Sequence, residues 1–222
     1  MKPFSRPEAP SQSAFPIDRA GIPFIGTAAF ATAVFALLGI VIPALAGLLA
    51  TFFICYFFRD PDRMTPVLEG GVVSPADVKV IKVERLESTH FAKGPCQKIS
   101  IFMSIFNVHV NRIPFDGRIE KIEYHPGKFF SANLDKASRL NEHNAVYLET
   151  GKGQICFVQI AGLVARRIIC RIQEGDAVAR GRRFGLICFG SRLDVYLPVD
   201  AQITVTVGDA VRAGTSLIGK LT

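Results

Sequence analysis

The chain has 222 residues, a net charge of +7 and 49% hydrophobic residues, enough for one ordinary domain plus an appendage. Its five cysteines, odd in number and without a C-x-x-C pair, argue against a disulfide framework and read as reduced thiols in a cytosol-facing protein. No aromatic-rich RNA-binding signature or zinc-finger spacing accompanies the positive charge, which therefore points to anionic lipid rather than nucleic acid.

The first element is apolar. From Ala20 to Phe58 run 39 residues without a charge, bounded by Arg19 and Arg59. One helix of that length would span about 58 Å, roughly twice a hydrocarbon core of about 30 Å. Gly39, Pro43 and Gly47 lie near its middle, so the expectation is a hairpin of two short helices, 20–39 and 44–58. Lys2, Arg6 and Arg19 flank one end and Arg59 and Arg63 the other, which puts both ends on the cytoplasmic side of a cell (inner) membrane. The competing reading is a signal peptide cleaved at "ALA" (44–46), but its apolar region would far exceed the usual length of about 7–15 residues. A hairpin that dips into the bilayer without crossing it stays open. Residues 1–58 are thus expected to form a tail and membrane anchor, and 59–222, with a net charge of +6, a separate β domain.

After a Pro- and Gly-rich connector (59–71) come short strand-like runs: "KVIKVE", "KISIFMSI", "GRIEKIEYH", "AVYLET", "QICFVQIAG", "RRIICRI", "FGLICF", "RLDVYLP" and "AQITVTV". Turn signals every eight to twelve residues favour a compact β-sandwich or barrel, a mainly β (α+β) fold. The polar stretch 132–144 is expected to be a loop or one helical turn. Cys156, Cys170 and Cys188 lie in apolar runs and read as core filling. Two repeats recur. G-D-A-V followed by a glycine begins at Gly175 and again at Gly208, and P-x-D leading into a strand begins at Pro75, Pro114 and Pro198. Both resemble the hairpins of biotinyl/lipoyl-type domains, although neither presents a carrier lysine.

Three positions invite chemistry. Gly190 and Ser191 interrupt the apolar run Leu186–Pro198, where a glycine marks a bulge or a close backbone approach. Either Ser191 simply tolerates that bulge, or its hydroxyl attacks the Gly190 carbonyl in an N→O acyl shift that ends in chain cleavage. In "MSIFNVHVNRIP", alternation puts Ile105, Asn107, His109 and Asn111 on one polar strand face, which makes His109 a candidate base. Asp77, after Ser74 and Pro75, is either a turn-former like Asp116 and Asp200 or the carboxylate that orients His109. His125 reads as structural, and His90 and His143 as solvated loop residues.

The motifs "FRDPDR" (58–63), "VVSPAD" (72–77), "MSIFNVHVNR" (103–112), "ANLDKAS" (132–138) and "RFGLICFGSRLDVYLP" (183–198), in this order, resemble the short, membrane-anchored phosphatidylserine decarboxylases. The resemblance implies self-cleavage between Gly190 and Ser191, giving a large chain 1–190 and a small chain 191–222 that stay together as a heterodimer, with higher oligomers open. It implies a pyruvoyl cofactor made from Ser191, neither a metal nor pyridoxal phosphate, and an Asp77–His109–Ser191 processing triad. The implied reaction converts phosphatidylserine in an anionic membrane to phosphatidylethanolamine and CO2, as part of phospholipid biosynthesis. The pyruvoyl carbonyl condenses with the serine head-group amine and draws electrons from the bond to the carboxylate. His109 is the first choice of proton donor; Arg112 and Arg192, and also Arg166 or Arg167, are candidates to hold phosphate or carboxylate. Three departures stand out: "FGSR" replaces the longer members' L-G-S-T, Phe106 replaces a second histidine, and Val78 stands where glycine is common. Two rivals carry the same residues: an anchored lipoyl-like adaptor without catalysis, and a membrane serine hydrolase, which would lack a G-x-S-x-G turn.

Overall fold

The computed structural model describes residues 16–131, 140–163, 167–188 and 190–222, so most of the polar stretch expected as a loop or helical turn lies outside the described residues. The described chain forms two compact units that part between Asp62 and Arg63.

The first unit is a helical hairpin of α1 (Ile22–Leu37) and α2 (Val41–Phe57). Its turn sits at 38–40, a few residues earlier than expected, because Gly39 takes the left-handed conformation (φ +72°) that other residues rarely adopt. Pro43 falls in the first turn of α2, where its missing N–H has no intrahelical partner to lose. The helices approach closely at Gly47, where a Cβ would come within 2.5 Å of Thr32 Oγ1. The three threonines of the hairpin satisfy themselves internally, Thr27 Oγ1 donating to Pro23 O, Thr32 Oγ1 to Ala28 O and Thr51 Oγ1 to Gly47 O. The ends of the hairpin meet, with the Asp18 N–H donating to Phe58 O (2.8 Å) and the Asp60 N–H to Pro16 O (2.6 Å), so both leave on one side. Arg19–Leu37 is 19 residues long with a mean hydropathy of 1.8, long and apolar enough to cross a membrane, while α2 is shorter. Phe30, Leu37, Ile42 and Leu49 are exposed, and a surface so apolar all round suggests membrane association.

The second unit is mainly β, as the turn spacing predicts. β2 (Val78–Leu86), β3 (Cys96–Met103), β11 (Ser191–Pro198), β7 (Gly153–Ala161), β6 (His143–Thr150) and β5 (Gly117–His125) lie side by side and antiparallel. Short β13 (Ala210–Val211) and β9 (Ala177–Val178) end this curled eight-stranded half-barrel. Two three-stranded sheets complete the unit: β1 (Gly71–Val73), β14 (Leu217–Lys220) and β12 (Gln202–Ile203), and β4 (Val110–Arg112), β10 (Arg183–Ile187) and β8 (Ile168–Cys170). Ile101, Phe157, Phe184, Leu193 and Val195 fill the core between them, and Phe157 and Phe184 meet edge to face at 4.9 Å. "AQITVTV" is a regular strand only at Gln202–Ile203; the Thr204 N–H still donates to Ile218 O, and the Asp209 N–H then closes a turn onto Thr206 O.

The two G-D-A-V copies and the first two P-x-D copies are structural repeats, while Asp200 of the third P-x-D instead accepts the Thr222 hydroxyl. β9 pairs with β5 (Val178 opposite Gly117) as β13 pairs with β2 (Val211 opposite Val78). Asp116 Oδ1 accepts the Arg180 N–H at 2.9 Å, and Asp77 Oδ1 accepts the Ala213 N–H at 2.7 Å. In both repeats the P-x-D carboxylate therefore caps the turn that follows G-D-A-V. The mates differ at the next residue: Val78 has φ +116°, a strained conformation for a β-branched side chain, where the other repeat has Gly117.

Two expectations about strands are corrected. Leu186–Pro198 is two strands in different sheets, β10 and β11, because Gly190 (φ +70°) redirects the chain between them. The run 103–112 is not one strand with a polar face. β3 ends at Met103, the Asn107 N–H closes a turn onto Ser104 O, and β4 begins only at Val110.

Candidate active site

Ser191 opens β11, the strand that β3 and β7 flank in the half-barrel, and its backbone lies opposite Met103 on one side and Ala161 on the other. The residue is fully buried, and its Oγ lies 4.0 Å from Met103 Sδ. Gly190, just outside the ladder, has the left-handed φ, and a Cβ built there would meet Ile105 Cγ2 at 3.7 Å. The turn that follows β3 thus packs against the Gly190–Ser191 peptide. Alternation along β11 sends Ser191, Leu193, Val195 and Leu197 toward the main core, and Arg192, Asp194 and Tyr196 to the opposite face.

His109 lies just after that turn and is 1% exposed. Its Nδ1 is 2.8 Å from Asn107 O; a carbonyl only accepts, so Nδ1 carries the proton and Nε2 is the basic nitrogen of the neutral ring. Asp77 is also buried, and both its oxygens are used: Oδ1 by the Ala213 N–H and Oδ2 by the Arg63 guanidinium at 3.1 Å. Ser74 rigidifies this corner by donating its hydroxyl to Ala76 O at 2.6 Å. The structure therefore brings Met103 and Ile105, which precede His109 in its segment, to the Gly190–Ser191 bond, and fixes the His109 ring through Asn107, while the two Asp77 oxygens are taken by Ala213 and Arg63. Asp77 instead ties residues 63–77 to the turn at Ala213.

The arginine expectations change more. Arg192 points away from Ser191 and is held in a buried ion pair, Nε to Asp194 Oδ1 at 2.9 Å and Nη2 to Oδ2 at 3.1 Å. Lys98 adds a third charge, 3.5 Å from Asp194 and 3.3 Å from Glu84. Arg192 thus lies on the face of the sheet opposite to Ser191, engaged by Asp194. Arg112 is buried and donates to Gly181 O at 2.8 Å, bracing the turn between the two sheet systems. Arg167 is exposed, and Arg166 lies outside the described residues, as do "ANLDKAS" and Phe189. Phe106 is 60% exposed and its side chain has no proton to give.

His143 is not a solvated loop residue. It begins β6, is 9% exposed, stacks on His125 at 4.7 Å and has Nδ1 2.8 Å from Asn141 O. Burial, and secondarily the nearby His125, holds its pKa below the ordinary histidine value, against the raising effect of the Asn141 bond. Burial likewise pushes the Cys156 thiol well up, so this cysteine is a core filler and not a nucleophile. Sequence reasoning named Asn111 only as a polar neighbour of His109 and missed Gln159 and Asn144; all three are buried, on β4, β7 and β6. The available signal was Gln159, a lone amide in the otherwise apolar run "ICFVQIAG". Among the described residues no group of three or more His, Cys, Asp or Glu side chains could hold a metal ion.

A family model described as phosphatidylserine decarboxylase matches residues 50–219. Curated relatives carrying the name phosphatidylserine decarboxylase proenzyme include one from Desulfotalea psychrophila, 49% identical over 95% of this chain and 99% of its own length. Others are from Syntrophus aciditrophicus (52% identical; 91% and 96% covered) and Nitratidesulfovibrio vulgaris (50% identical; 90% and 92% covered).

Proposed function

The chain belongs to the phosphatidylserine decarboxylase family, and we propose that it converts phosphatidylserine to phosphatidylethanolamine and CO2 after cutting its own Gly190–Ser191 bond. The observation that carries this reading is the place of that bond. It lies at the switch between two sheets, with the left-handed Gly190 outside the ladder and the buried Ser191 inside it. A cut there breaks no strand. Residues 191–222 keep β11 between β3 and β7, β13 on β2 and β14 on β1, which supports a heterodimer of chains 1–190 and 191–222. The Asp77–Ala213 bond also crosses between the two chains.

His109 Nε2, presented by the Asn107 bond, is the base that takes the Ser191 Oγ proton. Asp77 serves by holding its corner, and Arg63 holds Asp77. Ser191 fits the origin of a pyruvoyl group, since a terminus formed there stays buried at the head of a central strand. Such a group supplies a carbonyl that accepts the substrate amine and draws electrons from its carboxylate bond. His109 then returns a proton to the substrate carbon. The apolar hairpin anchors the protein to the cell membrane with both flanks cytoplasmic, and the +6 charge of 59–222 adds attraction to an anionic leaflet. In this arrangement residues 1–58 are the anchor and 59–222 the catalytic domain.

The test is an intact mass spectrum. The native chain should give two fragments, ending at Gly190 and beginning with a modified residue 191. Ser191→Ala should give one uncut chain without lipid turnover. Two fragments from Ser191→Ala would sink the reading, and an uncut native chain would favour the adaptor or hydrolase instead.

A further inference from the structure

Three carboxamides run through the core beneath Ser191. Asn144 Nδ2 donates to Gln159 Oε1 at 3.1 Å, and Gln159 Nε2 donates to Asn111 Oδ1 at 2.9 Å. The contacts run in one direction, each amide that receives at its oxygen turning its nitrogen to the next. Asn111 Nδ2 is thus the donor end, and it meets Met103 Sδ at 3.5 Å, the same sulfur that Ser191 Oγ approaches at 4.0 Å. Asn111, Gln159 and Ser191 have no exposed surface.

A thioether is a weak acceptor. A fully buried amide N–H aimed at sulfur recovers little of its desolvation cost, and a leucine of similar shape would avoid that cost altogether. The amide therefore has a better acceptor at some stage, and the Ser191 hydroxyl oxygen, at the Gly190–Ser191 junction, lies 4.0 Å from the shared sulfur. We propose that Asn111 Nδ2 is the donor that stabilises the negative oxygen formed as this bond rearranges, with Gln159 and Asn144 as positioning residues. The proposal rests on the self-cleavage reading. In the first step the Ser191 Oγ–H bond breaks, its proton passes to His109, Oγ bonds the Gly190 carbonyl carbon, and the carbonyl oxygen takes the charge. Release of the Ser191 nitrogen, which gains a proton, leaves an ester. Loss of the Ser191 Cα proton then breaks the Cβ–Oγ bond and expels the Gly190 carboxylate, the second place where a donor lowers the barrier.

The experiment follows cleavage of freshly synthesised full-length proenzyme by electrophoresis and intact mass. Asn111→Leu and Asn111→Asp should slow cleavage about 100-fold or more, the size typical of losing one oxyanion donor. Melting the same variants in a Ser191→Ala background reads their stability separately. Hydroxylamine splits esters, so stalled chains that it cuts at 190–191 assign the donor to the elimination, and resistant chains to the acyl shift. Asn111→Leu/Gln159→Leu removes two amides together. If the amides only knit β4 to β7 and β6, this variant restores cleavage; under the proposal it stays slow. Met103→Leu, a swap of nearly equal volume that should fold, removes the sulfur and keeps the amide. It should cleave at the native rate or faster, and a stall as deep as that of Asn111→Leu overturns the proposal. Native-rate cleavage by a folded Asn111→Leu chain overturns it too, with self-cleavage intact. An uncut native chain overturns both.

Discussion

Removing Asp194 should destabilise the β unit more than removing Arg192, although the two form one ion pair. Asp194 is fully buried and faces two cations, Arg192 through both guanidinium contacts and Lys98 at 3.5 Å. Asp194→Leu leaves Arg192 and Lys98 side by side without their shared anion. Breaking a buried pair from one side costs about 3–5 kcal/mol. Two unit charges about 4 Å apart at an effective dielectric near 20 interact by about 4 kcal/mol, and part of that becomes repulsion between the stranded cations. Arg192→Met is milder, because Asp194 keeps Lys98, and Lys98 keeps Glu84 at 3.3 Å. The expected order of loss is Asp194→Leu near or above the top of that range, Arg192→Met near or below its bottom, and Arg192→Met/Asp194→Leu below the sum of the two. Urea unfolding in a Ser191→Ala background keeps a single chain throughout and measures all three. Equal losses from the two single variants, or simple additivity in the double, would refute the reasoning that one carboxylate serves two buried cations.

Other outcomes follow from the same geometry. Because burial depresses the His143 pKa, the unfolded chain takes up the proton first as pH falls below about 6.5, and stability drops from there toward the folded-state pKa, with no effect above it. His143→Phe should flatten that slope in urea midpoints at pH 7.5 and 5.5, and an unchanged slope would assign it to another group. Phe184→Ala, which removes a fully buried ring packed on Phe157, should cost about 3–5 kcal/mol in the same assay. Val78→Gly should gain up to about 2.5 kcal/mol, strain relief of about 1–3 less the glycine entropy cost of about 0.5–1; a loss would mean that the valine is not strained. Deleting residues 1–58 should leave self-cleavage intact, lower activity on vesicles and make the remainder salt-sensitive, while sparing short-chain soluble phosphatidylserine. Full activity on vesicles in high salt would show that the anchor does not position the enzyme.

Much of this protein was legible in one dimension because the signals are local. A charge-free run of 39 residues bounded by arginines, with glycines near its middle, is too long for one straight span and is expected to fold back, and α1 and α2 do fold back. Alternation in "RLDVYLP" correctly sorted Leu193, Val195 and Leu197 from Arg192, Asp194 and Tyr196, since the side-chain period of a strand is a property of the backbone. The G-D-A-V and P-x-D repeats announced equivalent turns, and the ordered motifs announced the family.

What the tertiary structure decided was which polar residues meet. Arg192 looked available for substrate until Asp194, two residues along the same face, and Lys98 from the neighbouring strand closed around it. His143 looked solvated until β5 brought His125 against it. Asn111, Gln159 and Asn144 are 15 and 48 residues apart along the chain, and nothing local links them; they join because β4 belongs to one sheet while β6 and β7 belong to another that packs on it. Local sequence determines backbone conformation and the faces of each element, which depend on neighbours a few residues away. The partners of a buried polar group depend on which strands the fold sets side by side, and that is decided by the packing of the whole core.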